Sequence, residues 1–335
     1  MATSQANSVV ERMNQAGLEF LNSLSEDQKN KACFNYMDGE RLFWYYPPIN
    51  RHGISLRDLN DNQRKLALKL MSTGLTETSY KQALQIIDLE SVLGPIEKEN
   101  ANGGATWFDR NPELYYFRIF GTPGQKDAWG WSAEGHHVSL HYSVLGEQVI
   151  SMTPFFFGAN PAEVRQGPKN GLRILSDRED IAYDLMNNFD AGQLKKAIIY
   201  DKAPWDILTY NSSKASLPAE EGLAISKMNQ TQKNIIESLI AEYINQVPEQ
   251  LAERKFQELR QFGLDNVYFA FPKKKNQLST ANFSFKTKNY KILENVTKDK
   301  PITNSKVKII ENKHLSYITS YIHKVKAMLN YAKID

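Results

Sequence analysis

Cysteine is almost absent. Cys33 is the single one in 335 residues, which excludes an intrachain disulfide framework and any zinc or iron–sulfur site built on several thiolates. It lies in the amphipathic stretch Lys31-Ala32-Cys33-Phe34, where a packed thiol is the plain reading. No run reaches the roughly 18 apolar residues that a membrane helix needs. The first 25 residues lack both a basic start and a continuous apolar run, so the expectation is a soluble, cytoplasmic protein with no transmembrane segment. Neither His-Glu-x-x-His nor a paired Cys-x-x-Cys occurs, which removes the compact metal motifs. Arginine is missing from the C-terminal stretch. From Pro272 onward there are 14 Lys, no Arg and 4 acidic residues, a balance of +10, so with a formal charge of +3 overall the rest carries 3 − 10 = −7. An acidic body and a lysine tail without arginine are poor material for specific nucleic-acid recognition, and no such partner is expected.

What is there suffices for a real core: 41% of the chain is hydrophobic. Residues 1–271 read as one α+β domain, with a helical unit over 8–96, a β region over 107–175 and a second helical unit over 176–262. Residues 272–335 form a Lys/Asn-rich tail. In the first unit, helix spacing breaks at Ser25-Glu26-Asp27-Gln28, a helix start, and resumes from Leu59 to end at Gly94-Pro95. In the β region, Leu114–Phe120, Ser132–Leu145 and Gln148–Phe157 read as strands, the last two as a hairpin. Leu175-Ser176-Asp177-Arg178-Glu179 starts a helix with serine at its cap. The expected architecture is a central antiparallel sheet flanked by two helical units.

The order of parts recurs. Leu21-x-x-Leu24 with Gln28-x-x-Lys31-Ala32 resembles Leu185-x-x-x-Phe189 with Gln193-x-x-Lys196-Ala197, each followed by a tryptophan, Trp44 or Trp205; Asn62-Gln63 and Thr231-Gln232 then open further helices. A duplicated, pseudo-two-fold arrangement and a chance likeness of helix-forming sequences both fit.

The densest chemistry lies in Trp129 to Tyr142. Read as strand, it places His137, Ser139 and His141 on one face and His136, Val138, Leu140 and Tyr142 on the other. Glu134, His136, His137 and His141 are the candidates for acid–base work, with Ser139 and Tyr142 orienting them. His137 and His141 are the candidates for a divalent metal, although four residues of strand hold them on the order of 13 Å apart, so other segments would have to supply ligands. Trp129 and Trp131, with Tyr115, Tyr116 and Phe155 to Phe157, either floor a pocket for an organic ligand or form core. Arg118 and Arg173 suit a substrate carboxylate or a structural salt bridge. Asn160, before Pro161, is a further substrate-binding candidate or fixes a turn. The glycines at 158, 167 and 171 match neither a P-loop nor a dinucleotide fingerprint.

Taken together, Glu40-Arg41-x-x-Trp44, Phe120-Gly-x-Pro-x5-Trp129-Gly-Trp131, Glu134-Gly-His-His-x-Ser-Leu-His141, Thr153-Pro-x-Phe-x-Gly-Ala-Asn-Pro-Ala162 and Gly167-x3-Gly-x-Arg173-x-Leu175 resemble the domain of unknown function 3500 family over about Asn14 to Phe271. The resemblance implies a soluble α+β protein and carries no catalytic assignment. The family pattern, as the resemblance implies it, continues after the equivalent of Phe271 into an aromatic strand pair and a His-x-His stretch; here Lys273-Lys-Lys-Asn-Gln stands instead. A shifted reading frame and natural divergence are the two explanations. The abrupt loss of arginine fits the first, and Leu315, Ile318, Ile322, Val325, Leu329 and Ala332, an amphipathic seam that predicts a helix over 314–333, fit the second. The functional expectation is metal-assisted or acid–base chemistry on a small organic substrate, with a non-catalytic small-molecule binder as the alternative; the sequence leaves the oligomeric state open.

Overall fold

The structure is a computed structural model that describes residues 8–100, 108–200, 211–212 and 221–272. The expected terminal helix at 314–333 and Trp205 lie outside the described residues. Helix α1 (Val9–Ser23) starts at a capping box of Ser8 with Glu11 and buries Val9, Val10, Met13, Ala16 and Phe20 along one stripe. Helix α2 (Glu26–Ala32) starts at the Ser25/Gln28 box and runs straight into β1 (Cys33–Phe34). After an aromatic loop come β2 (Ile54–Ser55), α3 (Asp61–Thr73), α4 (Glu77–Asp88) and α5 (Glu90–Asn100). Helix α5 passes through Gly94-Pro95, where the sequence predicts a stop. Contacts on both sides of the proline, buried Leu93 before it and Glu97 paired with Arg110 after it, outweigh the lost amide.

A seven-stranded sheet follows, built on β3 (Tyr116–Phe120), β4 (Trp129–Gly135), β5 (Val138–Leu145), β6 (Gln148–Ser151) and β7 (Phe155–Phe157). Its order is β1-β3-β4-β5-β6, with β2 also on β3 and β7 also on β5. The sheet is mixed, which corrects the antiparallel expectation. Hairpin links make β3, β4, β5 and β6 antiparallel, whereas β1 reaches β3 through a helical crossover and pairs with it in parallel, Phe34 opposite Phe120. A second correction concerns Ser132–Leu145, which is a hairpin and not one strand. Gly135 pairs with Val138, and His136 and His137 form the turn. A Cβ at position 135 would run into the Tyr115 ring, so only glycine lets the chain turn there.

Alternation then sorts the side chains. Phe117, Ile119, Trp129, Trp131, Ala133, Leu140, Tyr142 and Val144 lie on one face and join the helices in a large apolar core. Arg118, Ser132, Glu134, Ser139, His141 and Ser143 occupy the other face and are also buried, under the loop that follows β1.

The second helical unit holds α6 (Ser176–Asn187), α7 (Ala191–Ala197), β8 (Ile198–Tyr200), β9 (Leu223–Ala224), α8 (Gln230–Ile244), α9 (Glu249–Phe262), β10 (Tyr268–Phe269) and β11 (Phe271–Pro272). Ser176 is the first helical residue of α6; Leu175 takes the cap position without a side-chain bond. A second apolar cluster gathers Leu185, Leu223, Ile236, Leu239 and Phe269.

This unit repeats the first. Gln28 and Gln63 exchange amide hydrogen bonds while Gln63 also donates to the Ser23 carbonyl; Gln193 and Gln232 do the same while Gln232 donates to the Asn188 carbonyl. Gly53 and Gly222 share φ of 108° and each faces the carbonyl of a paired phenylalanine, Phe117 or Phe269. Strand β2 pairs antiparallel with β3 as β9 does with β10, and β1 pairs parallel with β3 as β8 does with β11. Backbone bonds from Leu56 to Tyr115 and from Ile225 to Val267 complete the match. Helix likeness alone does not reproduce strand register, so the frame is duplicated.

Candidate functional site

Two buried polar groupings meet at the β4–β5 hairpin. The first sits under the sheet. Arg118 and Glu134 are fully buried and in direct ionic contact. The Arg118 guanidinium also donates to Ser132 Oγ at 2.8 Å and to Glu40 Oε1 at 2.7 Å. Glu134 Oε1 accepts from Ser139 Oγ at 2.7 Å and meets His141 Nε2 at 3.0 Å. Burial alone would raise the Glu134 pKa, but Arg118, then His141 and Arg51, more than reverse this and hold it well below the usual carboxylate range. Arg51 donates to the carbonyls of Ile49 (2.7 Å), Tyr45 (2.5 Å), Pro47 (2.7 Å) and Gly135 (3.1 Å). It ties the aromatic loop to the residue before the turn. Burial lowers its pKa, against the pull of Glu134.

The second grouping opens to the surface. Glu90, the first residue of α5, is 3% exposed and in hydrogen-bond contact with His136 Nδ1. Arg110 Nη1 lies 3.3 Å from the same nitrogen, and its guanidinium is clamped by Glu97 at 2.8 and 2.6 Å. Tyr115 donates its hydroxyl proton to the His136 carbonyl at 2.8 Å. Burial pushes Glu90 up to about 7, partly opposed by Arg110. Burial, with Arg110 and Arg51 nearby, pushes His136 down to about 3. One proton is therefore held between the two near neutrality. A shallow, open cleft whose enclosed part has room for about one water molecule borders this pair, lined by Pro48, Ile49, Leu114 and Tyr115 on its apolar side and by Glu90, Asp109, Asn111 and His136 on its polar side. No hydrogen bond from His136 Nε2 forms among the described residues.

His137 follows with φ of 61°, a left-handed conformation uncommon outside glycine. Its ring stacks on His136 at 4.1 Å and rests against Tyr46 and Phe156, and its buried Nδ1 has no hydrogen-bond partner among the described residues. Its pKa is pushed well down by burial and by His136.

The structure brings Glu134, Ser139 and His141 together, and His136 with His137, but as two groups. His137 and His141 do not form a metal pair. Both nitrogens of His141 are engaged, Nδ1 with the Arg41 carbonyl at 3.1 Å and Nε2 with Glu134, while His137 sits in the turn among aromatic rings. Among the described residues no group of three or more His, Cys, Asp or Glu could hold a metal ion. Trp129 and Trp131 are not in the lining of this cleft. They lie in the core on the opposite face, Trp131 stacked on Tyr142 at 4.6 Å. Tyr142 orients no histidine, since its hydroxyl donates to the Gly74 carbonyl. Arg118 and Arg173 have no hand free for a substrate carboxylate: Arg118 serves Glu40 and Glu134, and Arg173 serves Glu179 and Asp180. Asn160 precedes a cis proline in the loop after β7, outside the cleft lining.

Sequence reasoning missed Glu90, Arg110, Arg51 and Glu40. Glu40 was available as part of the Glu40-Arg41-x-x-Trp44 motif. The others carry no local signal, because the contacts that bring them to the turn, with Gly135 or His136, span 26 to 84 residues.

Among the described residues no helix is long and apolar enough to cross a membrane. No curated protein and no solved structure matches the chain. A family model does match, over residues 6–298, past Phe271, where the sequence reading sets the departure from the family pattern. The match covers both repeats and the hairpin that carries the two groupings, and the chain belongs to the family described as protein of unknown function (DUF3500).

Proposed function

We propose that the protein is an acid–base enzyme for a small polar substrate, with His136 as the proton-exchanging group and Glu90 as its partner. The observation that carries this reading is the buried Glu90–His136 contact in the wall of an open cleft. With Glu90 ionised, its carboxylate accepts the Nδ1 proton and leaves the Nε2 lone pair toward the cleft as a base. With Glu90 protonated, the carboxyl donates to Nδ1 and Nε2–H becomes a donor. The pair reverses its polarity near pH 7, where general acid–base groups work best. Arg110, fixed by Glu97, keeps Nδ1 turned inward, and His137 backs the ring. The Glu134 cluster is the foundation of the turn, complete in itself, and no proton transfer is assigned to His141 or Glu134.

The test is turnover. Incubating the wild-type protein with a pool of small cellular metabolites and following the pool by mass spectrometry is expected to show a species consumed by wild type and spared by H136Q and E90Q, both folded by circular dichroism. Equal consumption by H136Q removes His136 from the chemistry. A species that binds wild type and H136Q alike and is never transformed supports the small-molecule binder instead.

A further inference from the structure

We infer that the cleft beside His136 receives a protonated aliphatic amine, an inference that rests on the proton-relay reading and names its substrate class. Both guanidiniums at its edge are spent. Arg110 is held by Glu97 through two hydrogen bonds, and Arg57 donates to Asp109 Oδ2 at 2.8 Å. Arg51, behind the wall, is committed to four carbonyls. Three carboxylates, Glu90, Glu97 and Asp109, thus face two guanidiniums, and with Glu90 ionised one negative charge is left over. A carboxylate or phosphate entering here finds no unpaired cation and meets net repulsion. An ammonium finds the second oxygen of Asp109, the Glu90 carboxylate and His136, a side chain only 6% exposed that lines this cleft and whose Nε2 makes no hydrogen bond among the described residues. Ile49, Pro48 and Leu114 supply an apolar wall for a short alkyl chain. The enclosed part of the cleft has room for about one water molecule, which suits an ammonium head and leaves the alkyl chain along the open apolar wall.

Proton transfer in this arrangement balances. An N–H bond of the ammonium breaks, the proton passes to Nε2 while the Nδ1 proton passes to the Glu90 carboxylate, the electron pair stays on the amine nitrogen, and His136 ends neutral with Glu90 protonated. The product is a neutral amine with a lone pair free to react.

The experiment uses the full chain with ¹³C-labelled histidine, the His136 signal being assigned by its loss in H136Q. n-Butylammonium chloride, sodium butyrate and inorganic phosphate are titrated in turn at constant ionic strength. Butylammonium is expected to shift His136 saturably, butyrate and phosphate to leave it unmoved, and D109N to weaken amine binding by about tenfold, the scale of one charge-assisted hydrogen bond. Butyrate or phosphate binding as well as the amine, or D109N leaving amine binding unchanged, overturns the inference. Loss of amine binding with the His136–Glu90 coupling still visible in the pH titration refutes the amine alone. A His136 that titrates as a free imidazole refutes the relay itself.

Discussion

Replacing Glu134 by Gln tests the buried cluster with the least change of shape. The carboxylate is wholly buried and faces Arg118, His141 and Ser139, with Arg51 Nε at 3.9 Å. In Glu134→Gln two buried guanidiniums keep only Glu40 as a counter-charge, and one amide N–H₂ is forced against a donor. Breaking one side of a buried ion pair costs about 3–5 kcal/mol. At a urea dependence of roughly 2–3 kcal/mol/M, a loss of about 4 kcal/mol moves the midpoint down by about 1.3–2 M. The assay is urea unfolding followed by tryptophan fluorescence, since Trp129 and Trp131 sit on the reverse of the same strand. The double variant with Arg118→Met is expected to lose less than the two single variants summed, because each single change strands the other charge. The acid limb adds a second readout. Glu134 has a folded pKa below its ordinary value of 4.5, so its contribution is present above about pH 4.5 and disappears as pH falls through the lower folded value. Wild type therefore destabilises on acidification and Glu134→Gln does so less. A midpoint shift under about 0.3 M, with an unchanged acid limb, refutes the assignment and leaves a pair worth no more than a surface salt bridge.

Three further outcomes are expected. Glu90, raised to about 7, contributes stability below pH 4.5 that is lost as pH rises through 7, whereas His136, lowered to about 3, contributes stability above 6.5 that is lost as pH falls toward 3; between 4.5 and 6.5 these two cancel and the lowered His137 leaves a rise, so wild type gains stability with pH there and E90Q gains it more steeply, checked by thermal melts across pH. His137→Asn keeps a residue tolerant of positive φ and is expected to fold normally, while His137→Val strains the turn by about 1–3 kcal/mol and displaces the His136 ring signal in the same NMR spectrum. Gln63→Leu and Gln232→Leu each remove a part-buried bond to a carbonyl and the partner of a capping amide, at about 0.5–1.5 kcal/mol per bond; hydrogen exchange is expected to speed up in the unit that carries the change more than in the other.

Much of the fold was legible where the governing forces are local. Ser25 announces its helix because the cap is a contact over three residues. The repeat was visible in the spacing around Gln28 and Gln193, but only register distinguishes it from helix likeness, and register is set by pairs such as Ile54 with Phe117 that no window spans. The hairpin was misread for a physical reason. Val138, Leu140 and Tyr142 have strand character whether or not the chain turns before them, and the one warning was Gly135 inside an otherwise regular strand pattern. His141 was located correctly on the Ser139 face, but its contacts were not legible, since Arg41 reaches it from a distant segment and its partner Glu134 is itself held by Arg118.

The duplication also separates what the frame needs from what the site needs. Register aligns Ile54 and Phe117 of the first unit with Leu223 and Phe269 of the second, and therefore Arg118 with Ala270. The second unit builds the same strand crossing, with its glycine at the same φ and its glutamines in the same exchange, around an alanine 3% exposed. A fully buried arginine is thus no requirement of this arrangement; an apolar residue does the structural work at lower desolvation cost. The charges in the first unit have to be explained by what stands on them. Arg118 fixes Glu134, Glu134 sits beside Arg51, and Arg51 holds both the carbonyl before His136 and the loop that forms the cleft's Pro48–Ile49 wall. A substitution that restores apolar packing under the sheet, Arg118→Met with Glu134→Met, still leaves the buried Arg51 without its nearest carboxylate, so it is expected to lose less stability than Glu134→Gln without gaining any, while the His136 titration reports the freed turn.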